Sequence, residues 1–167
     1  MAMKETTTRS LRHMAWANQR VYSAVQALPD EALTAYIANP EWTAGIILNH
    51  IVGGATWYVY CLGVSMWTDI PEIKSMNDLP ALASMLAQFD AQILSQAELA
   101  DETLTIKEGE RTFTALRSTI LAEASYHATE HRAQLLDALE SKGHFPIKLD
   151  DIDLWSFERH ERSLSLN

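Results

Sequence analysis

The stretch Tyr126-His127-Ala128-Thr129-Glu130-His131-Arg132-Ala133-Gln134 carries two imidazoles four residues apart. On an α-helix, residues i and i+4 lie one above the other, so both rings can address a common atom. The flanking sequence predicts that helix. From Thr114 to Ser141 there is no Gly or Pro, and Leu116, Ile120, Ala124, Leu135, Ala138 and Leu139 recur at helical spacing. Gly143 and Pro146 then stop it. At about a hundred degrees per residue, both histidines fall inside the apolar stripe, with Glu123 and Gln134 beside them, and are expected to face the interior.

Interior imidazoles need hydrogen-bond partners or a metal, because an unpaired buried polar group is costly. A metal such as zinc takes at least three protein ligands as a rule, so a third must come from another element. His50 is the best candidate. It lies in Trp42-Thr43-Ala44-Gly45-Ile46-Ile47-Leu48-Asn49-His50-Ile51-Val52-Gly53-Gly54, inside a second helical run that Thr43 can cap and that reaches Cys61. Thr43, Ile46, Ile47, Gly54, Trp57 and Cys61 share its face, which again points inward. Gly53 and Gly54 each cost a helix about 1 kcal/mol relative to Ala, and glycines kept in such a place mark close packing or room for a ligand.

A His-x-x-x-His pair alone is a weak signal, since two histidines often share a helix face and serve only the core. The order His127-Ala-Thr-Glu130-His131 also differs from the zinc-protease signature, in which Glu follows the first His, so no peptidase is read here. Glu130 and Glu123 are acid or base candidates by type, although Glu on a helix flank is more often simply solvated. Gln134, one turn from Glu130, is placed to orient a ligand. Cys61 reads as a buried thiol, with nothing basic in sequence to activate it.

The remaining chain is also helical. Leu11, Ala15, Asn18, Tyr22 and Val25 make a stripe from about Lys4 to Leu28, ended by Pro29-Asp30. Asn18 is its polar member, either a core group bonded to a neighbouring helix or one that faces the site. His13 points to the other side, towards surface or an interface. A turn and loop lead to Trp42; after Gly63 comes a loop with Trp67 and Pro71. Asn77-Asp78-Leu79-Pro80 starts a third helix, continued by Leu82, Met85, Leu86, Phe89, Ile93 and Leu94 towards Leu99. Between Thr103 and Thr114 the period changes around Glu108-Gly109, which predicts a short hairpin leaning on the helices. The tail from Lys148 to Asn167, with Trp155 and Phe157, is too apolar for a disordered end and is expected to pack over the bundle mouth or a partner subunit. Trp57, Tyr58 and Tyr60 fit core or interface better than a substrate cage, though Trp57 can wall a pocket near His50. The expected fold is one all-α domain over 1–167: a four-helix bundle with a short β-hairpin before the last long helix, whose facing helices carry the site.

Leu-Asn-His50 in an early helix and His127-x-x-x-His131-Arg-Ala-Gln134 in a late one resemble the DinB-like superfamily of four-helix-bundle metalloproteins. His13-Met-Ala-Trp16-Ala-Asn18-Gln-Arg20, Leu28-Pro29-Asp30-Glu31, Gly143-His-Phe-Pro146 and Asp153-Leu-Trp155 extend the resemblance over nearly the whole chain. It implies a divalent metal held by His50, His127 and His131 with open positions for water or substrate, zinc or nickel first, iron or another ion next. Ala133 stands where relatives often have Gly, and Glu130 where they often have His; neither removes a proposed ligand. The resemblance also implies a homodimer and activation of a low-molecular-weight thiol, such as glutathione, bacillithiol or mycothiol, or of water, as in S-transferases, a thiol-dependent isomerase and hydrolases. Fold and motif do not choose among these. Two other readings stand beside it: a non-catalytic metal-binding module, and a structural or interaction bundle whose histidines serve only the core.

Composition narrows the classes. With 167 residues the chain can bury a substantial core. A net charge of −9, without a block of Lys and Arg, argues against nucleic acid and anionic membrane as partners. One cysteine excludes an internal disulfide, and the absence of an apolar leader or a spanning-length apolar run makes the cytoplasm the expected location.

Overall fold

The structure, a computed structural model, describes residues 2–165, with side chains from Glu5 onward. Five helices run in the order α1 (Ala2–Val25), α2 (Ala44–Cys61), α3 (Leu79–Gln96), α4 (Arg117–Glu140) and α5 (Leu154–Leu164), with a hairpin of β1 (Thr103–Glu108) and β2 (Arg111–Leu116) before α4. Four of them form the bundle. α2 packs against α4 and α3, and α1 against α3 and α4, so α1 and α2 occupy one diagonal. The connection from α1 to α2 therefore crosses an end of the bundle, using a short 3-10 helix at Asp30–Thr34.

Local chemistry sets the boundaries. Thr43 caps α2 by accepting from the Ile46 amide, as the sequence predicts. Asp78 accepts from the amides of Lys74 and Ser75, and Pro80 sits in the first turn of α3. Gly143, with φ of 83°, ends α4 while the His144 amide reaches back to the Leu139 carbonyl at 3.1 Å.

Three expectations need correction. The helical run from Thr114 begins three residues later, at Arg117, because Thr114, Ala115 and Leu116 pair with Thr105, Leu104 and Thr103 in the hairpin. Asp101 then caps α4 from outside, accepting from the Ser118 amide at 2.9 Å. The hairpin leans on the bundle as expected, through buried Ile106 and the Tyr60 hydroxyl, which donates to the Lys107 carbonyl. The third helix stops at Gln96, short of Leu99. Finally, the tail forms a fifth helix laid on α1, not a cover for the bundle mouth. Phe157 buries against His13 and Trp16, and the His13 Nε2 lies 2.7 Å from the Ile152 carbonyl, so His13 belongs to the α1–α5 contact.

The core is filled by Leu11, Val21, Leu48, Leu86, Leu135 and Leu139, all essentially inaccessible. Three polar side chains cross it. Arg132 donates to the Asn18 carbonyl oxygen at 2.6 Å, and the Asn18 amide donates to the Asp90 carboxylate at 2.9 Å. Asn18 is thus a core residue joining α1 to both α3 and α4. Burial pushes the Asp90 carboxyl up to about 7 against the opposing pull of Asn18 and Arg132, and lowers Arg132 to about 10.

Candidate metal centre

α2 and α4 bring His50, His127 and His131 together, with one ligand-capable atom of each within 4.8 Å of the others. The His127 and His50 Nε2 atoms are 3.0 Å apart. The His131 ring lies edge-on to both, with centroids 4.5 Å from His50 and 4.3 Å from His127. The sequence expectation of fully interior rings is not met: His50 is exposed, and His127 and His131 are half-buried. Ala128, Arg132, Leu135 and Leu139 take the inward direction of α4, leaving the histidines on its flank, at the seam with α2.

The protonation of His131 follows from its neighbours. The Trp42 indole, a donor only, gives its N–H to the Gln134 Oε1 at 3.0 Å. That oxygen also lies 2.9 Å from the His131 Nδ1, and an oxygen that accepts requires the proton on Nδ1. The Nε2 lone pair of His131 is left for the shared centre, the arrangement that outer hydrogen bonds impose on metal-ligating histidines. The Trp42 ring stands edge-on beside His50 and His131, with centroids 5.0 and 5.7 Å away.

His127 sits in a notch of α2. A Cβ on Gly54 would fall 2.2 Å from its Cε1 and 2.7 Å from its Nδ1, so only Gly admits the ring there. Gly53, by contrast, has nothing within 4 Å of such an atom. Tyr58, one turn beyond Gly54, meets the ring edge-on at 5.6 Å. Burial, then the neighbouring His131 and His50, lowers the His127 pKa to about 4, and burial followed by His131 lowers that of His50. Both rings are therefore neutral at neutral pH, as metal ligands must be.

The donor set suits a divalent ion. Three imidazoles with a ring nitrogen each within 4.8 Å of the others match bonds of about 2.0–2.1 Å to zinc after small side-chain adjustment. Imidazole serves nickel, iron and copper as well. Gln134 joins the centre by holding His131, whereas Glu123 and Glu130 are exposed and make no hydrogen bond to the triad. Their carboxylates lie near the Tyr58 hydroxyl and, after burial, help raise it to about 12. Burial followed by Glu108 raises Cys61 to about 11, which makes it a poor nucleophile. Trp57 is half-buried in an aromatic group with Tyr60 and Trp67.

Sequence reasoning did not find Trp42 or Tyr58 in the centre. Trp42 precedes the Thr43 cap of α2, so the loop and not the helix sets its place beside His50. Asp90 did leave one: it falls in the buried stripe between Leu86 and Ile93.

No helix of the described residues is long and apolar enough to cross a membrane. No curated protein matches the sequence. The DinB family matches it over residues 3–161, a span that holds the four bundle helices, but for the first residue of α1, and the three histidines. With a mostly α fold and the triad at the α2–α4 seam, the chain belongs to the DinB family.

Proposed function

We propose that this DinB-family protein is a metal-dependent enzyme that activates a low-molecular-weight thiol, or water, for attack on an electrophile, in the manner of an S-transferase or hydrolase. The observation that carries the reading is the convergence of His50, His127 and His131 with the proton of His131 fixed on Nδ1. When bound there, a divalent ion lowers the pKa of the thiol or water it polarises, so that a nucleophile is available near neutral pH.

The chain's own residues supply the rest. His50 and His127 are held neutral, so no proton must leave them before binding. Gln134 and Trp42 hold His131 in its orientation, and the Trp42 ring shields one side of the triad from water. The exposure of His50 leaves another side open for a substrate. We further propose a cytoplasmic homodimer; the exposed Phe145, Leu154 and Trp155 offer apolar surface of the kind that subunits bury.

The test is metal content per chain, measured on untagged wild type and on His50→Ala, His127→Ala and His131→Ala. About one ion per chain, lost in each variant, is the expected result. It would be followed by a screen of glutathione, bacillithiol and mycothiol against electrophiles. Wild type that takes up neither zinc nor nickel would sink the reading.

A further inference from the structure

The buried carboxylate of Asp90 has no part in the centre so far, yet it and His127 line one small cavity. Asn18 and Tyr58 share its wall with apolar side chains, among them Met14, Ile51, Leu86 and Ile93, and its volume is about 10 Å³. A space of that size holds one water molecule where polar groups on the wall, here Asp90, Asn18 and His127, can bind it.

Two residues of this wall, His127 and Asp90, have hydrogen-bonding capacity that a water would use. The His127 Nε2 is turned to His50, and among the described residues His50 is the ring's only hydrogen-bond partner. With Nε2 given to a metal, the proton of the neutral ring resides on Nδ1 and needs an acceptor. On the same wall, Asp90 uses Oδ2 to accept from Asn18. A carboxylate accepts up to about four hydrogen bonds, so capacity remains for a donor. Burial of 99 %, from the 1 % exposure of Asp90, shuts out bulk solvent as that donor.

We propose that one ordered water in this cavity accepts from the His127 Nδ1–H and donates to the Asp90 carboxylate, making Asp90 a positioning residue of the metal centre. This rests on the metal reading of the triad. The parallel with His131 supports it: that ring has Gln134 as the acceptor for its Nδ1, whereas among the described residues the His127 Nδ1 has no acceptor and the ring lines a water-sized space with a carboxylate on its wall. The bridge would orient the His127 ring, raise its basicity as a ligand, and join the Asp90–Asn18–Arg132 core bridge to the metal.

The experiment is a competition titration with zinc on untagged wild type, Asp90→Asn and Asn18→Ala, with melting temperatures of the metal-free proteins and a zinc-loaded wild-type crystal structure at about 1.8 Å or better. Expected are a 10- to 100-fold weaker zinc affinity in D90N, the range for loss of an outer partner of a ligand, a smaller loss in N18A, and a water between His127 Nδ1 and Asp90. A purely structural Asp90 would lower the melting temperature and leave zinc affinity unchanged. D90N that binds zinc within twofold of wild type overturns the proposal while the metal reading survives; wild type that binds no zinc overturns both. Should D90N not fold, a zinc-loaded structure without that water overturns the proposal by itself.

Discussion

Gly54→Ala adds a single methyl group to α2 at the point where the His127 ring crosses it. The new carbon would lie 2.2 Å from Cε1, and ordinary carbon contact begins near about 3.5 Å, so the ring must retreat by roughly 3.5 − 2.2 = 1.3 Å. Metal–nitrogen bonds hold their length within about 0.2 Å. The His127 ligand is therefore lost, and zinc affinity is expected to fall more than about a hundredfold, beyond the cost of losing an outer hydrogen bond. Stability of the metal-free protein should change far less. Ala gains about 1 kcal/mol over Gly inside a helix, and local overpacking costs about 1–3 kcal/mol, leaving a net loss of no more than about 2 kcal/mol. Gly53→Ala is the internal control: with nothing within 4 Å, it should gain up to about 1 kcal/mol and keep its zinc affinity. Zinc competition titration and urea denaturation of the chelator-stripped proteins measure both quantities. G54A binding zinc within tenfold of wild type would refute the steric argument, and equal losses in G53A and G54A would show a general effect on the helix.

Gln134→Leu removes the acceptor of both His131 and Trp42, and zinc affinity by the same titration should drop about 10- to 100-fold. Asp90 has a folded pKa of about 7, above its unfolded value of about 3.9, so its contribution to stability is fully present below the unfolded pKa and is lost as pH rises to 7. The stability of metal-free wild type minus that of D90N, measured in urea, should therefore shrink between pH 4.5 and pH 7; a constant gap would contradict the burial. His127 acts in the opposite sense: its depressed pKa gives stability present above about pH 6.5 and lost as pH falls towards 4, so metal-free D90N should gain stability as pH rises from about 4 to about 6.5. Cys61, raised to about 11, should resist iodoacetamide at pH 8 in native protein and react on unfolding, as mass spectrometry would show.

How much of this was legible in the sequence depended on whether the signal was local. The four long helices followed from apolar period, Thr43 from capping chemistry, and the hairpin from the change of period around Glu108-Gly109. The start of α4 was not legible, because Ala115 and Leu116 fit either a helix stripe or a strand, and the deciding partners, Leu104 and Asp101, arrive only with the fold. The histidines were assigned to the right face and the wrong depth. Helical angle gives a direction relative to the other residues of one helix, and Arg132, next to His131, takes one of the inward directions. The tail's apolar residues were evident, whereas their resting place on His13 and Trp16 required knowing which side of α1 the bundle leaves bare.

The bridge from Arg132 through Asn18 to Asp90 joins α4, α1 and α3, and leaves out α2. Arg132 follows His131 directly, and neighbours on a helix point about 100° apart. Anchoring one azimuth therefore fixes the other. With Arg132 pinned to Asn18, α4 cannot roll about its axis without breaking a buried bond, and the bearing of His127 and His131 towards α2 is set. The aim of the triad is thus indexed by two residues, on α1 and α3, that are not ligands, and a substitution at Asn18 can misdirect the site while every histidine remains in place.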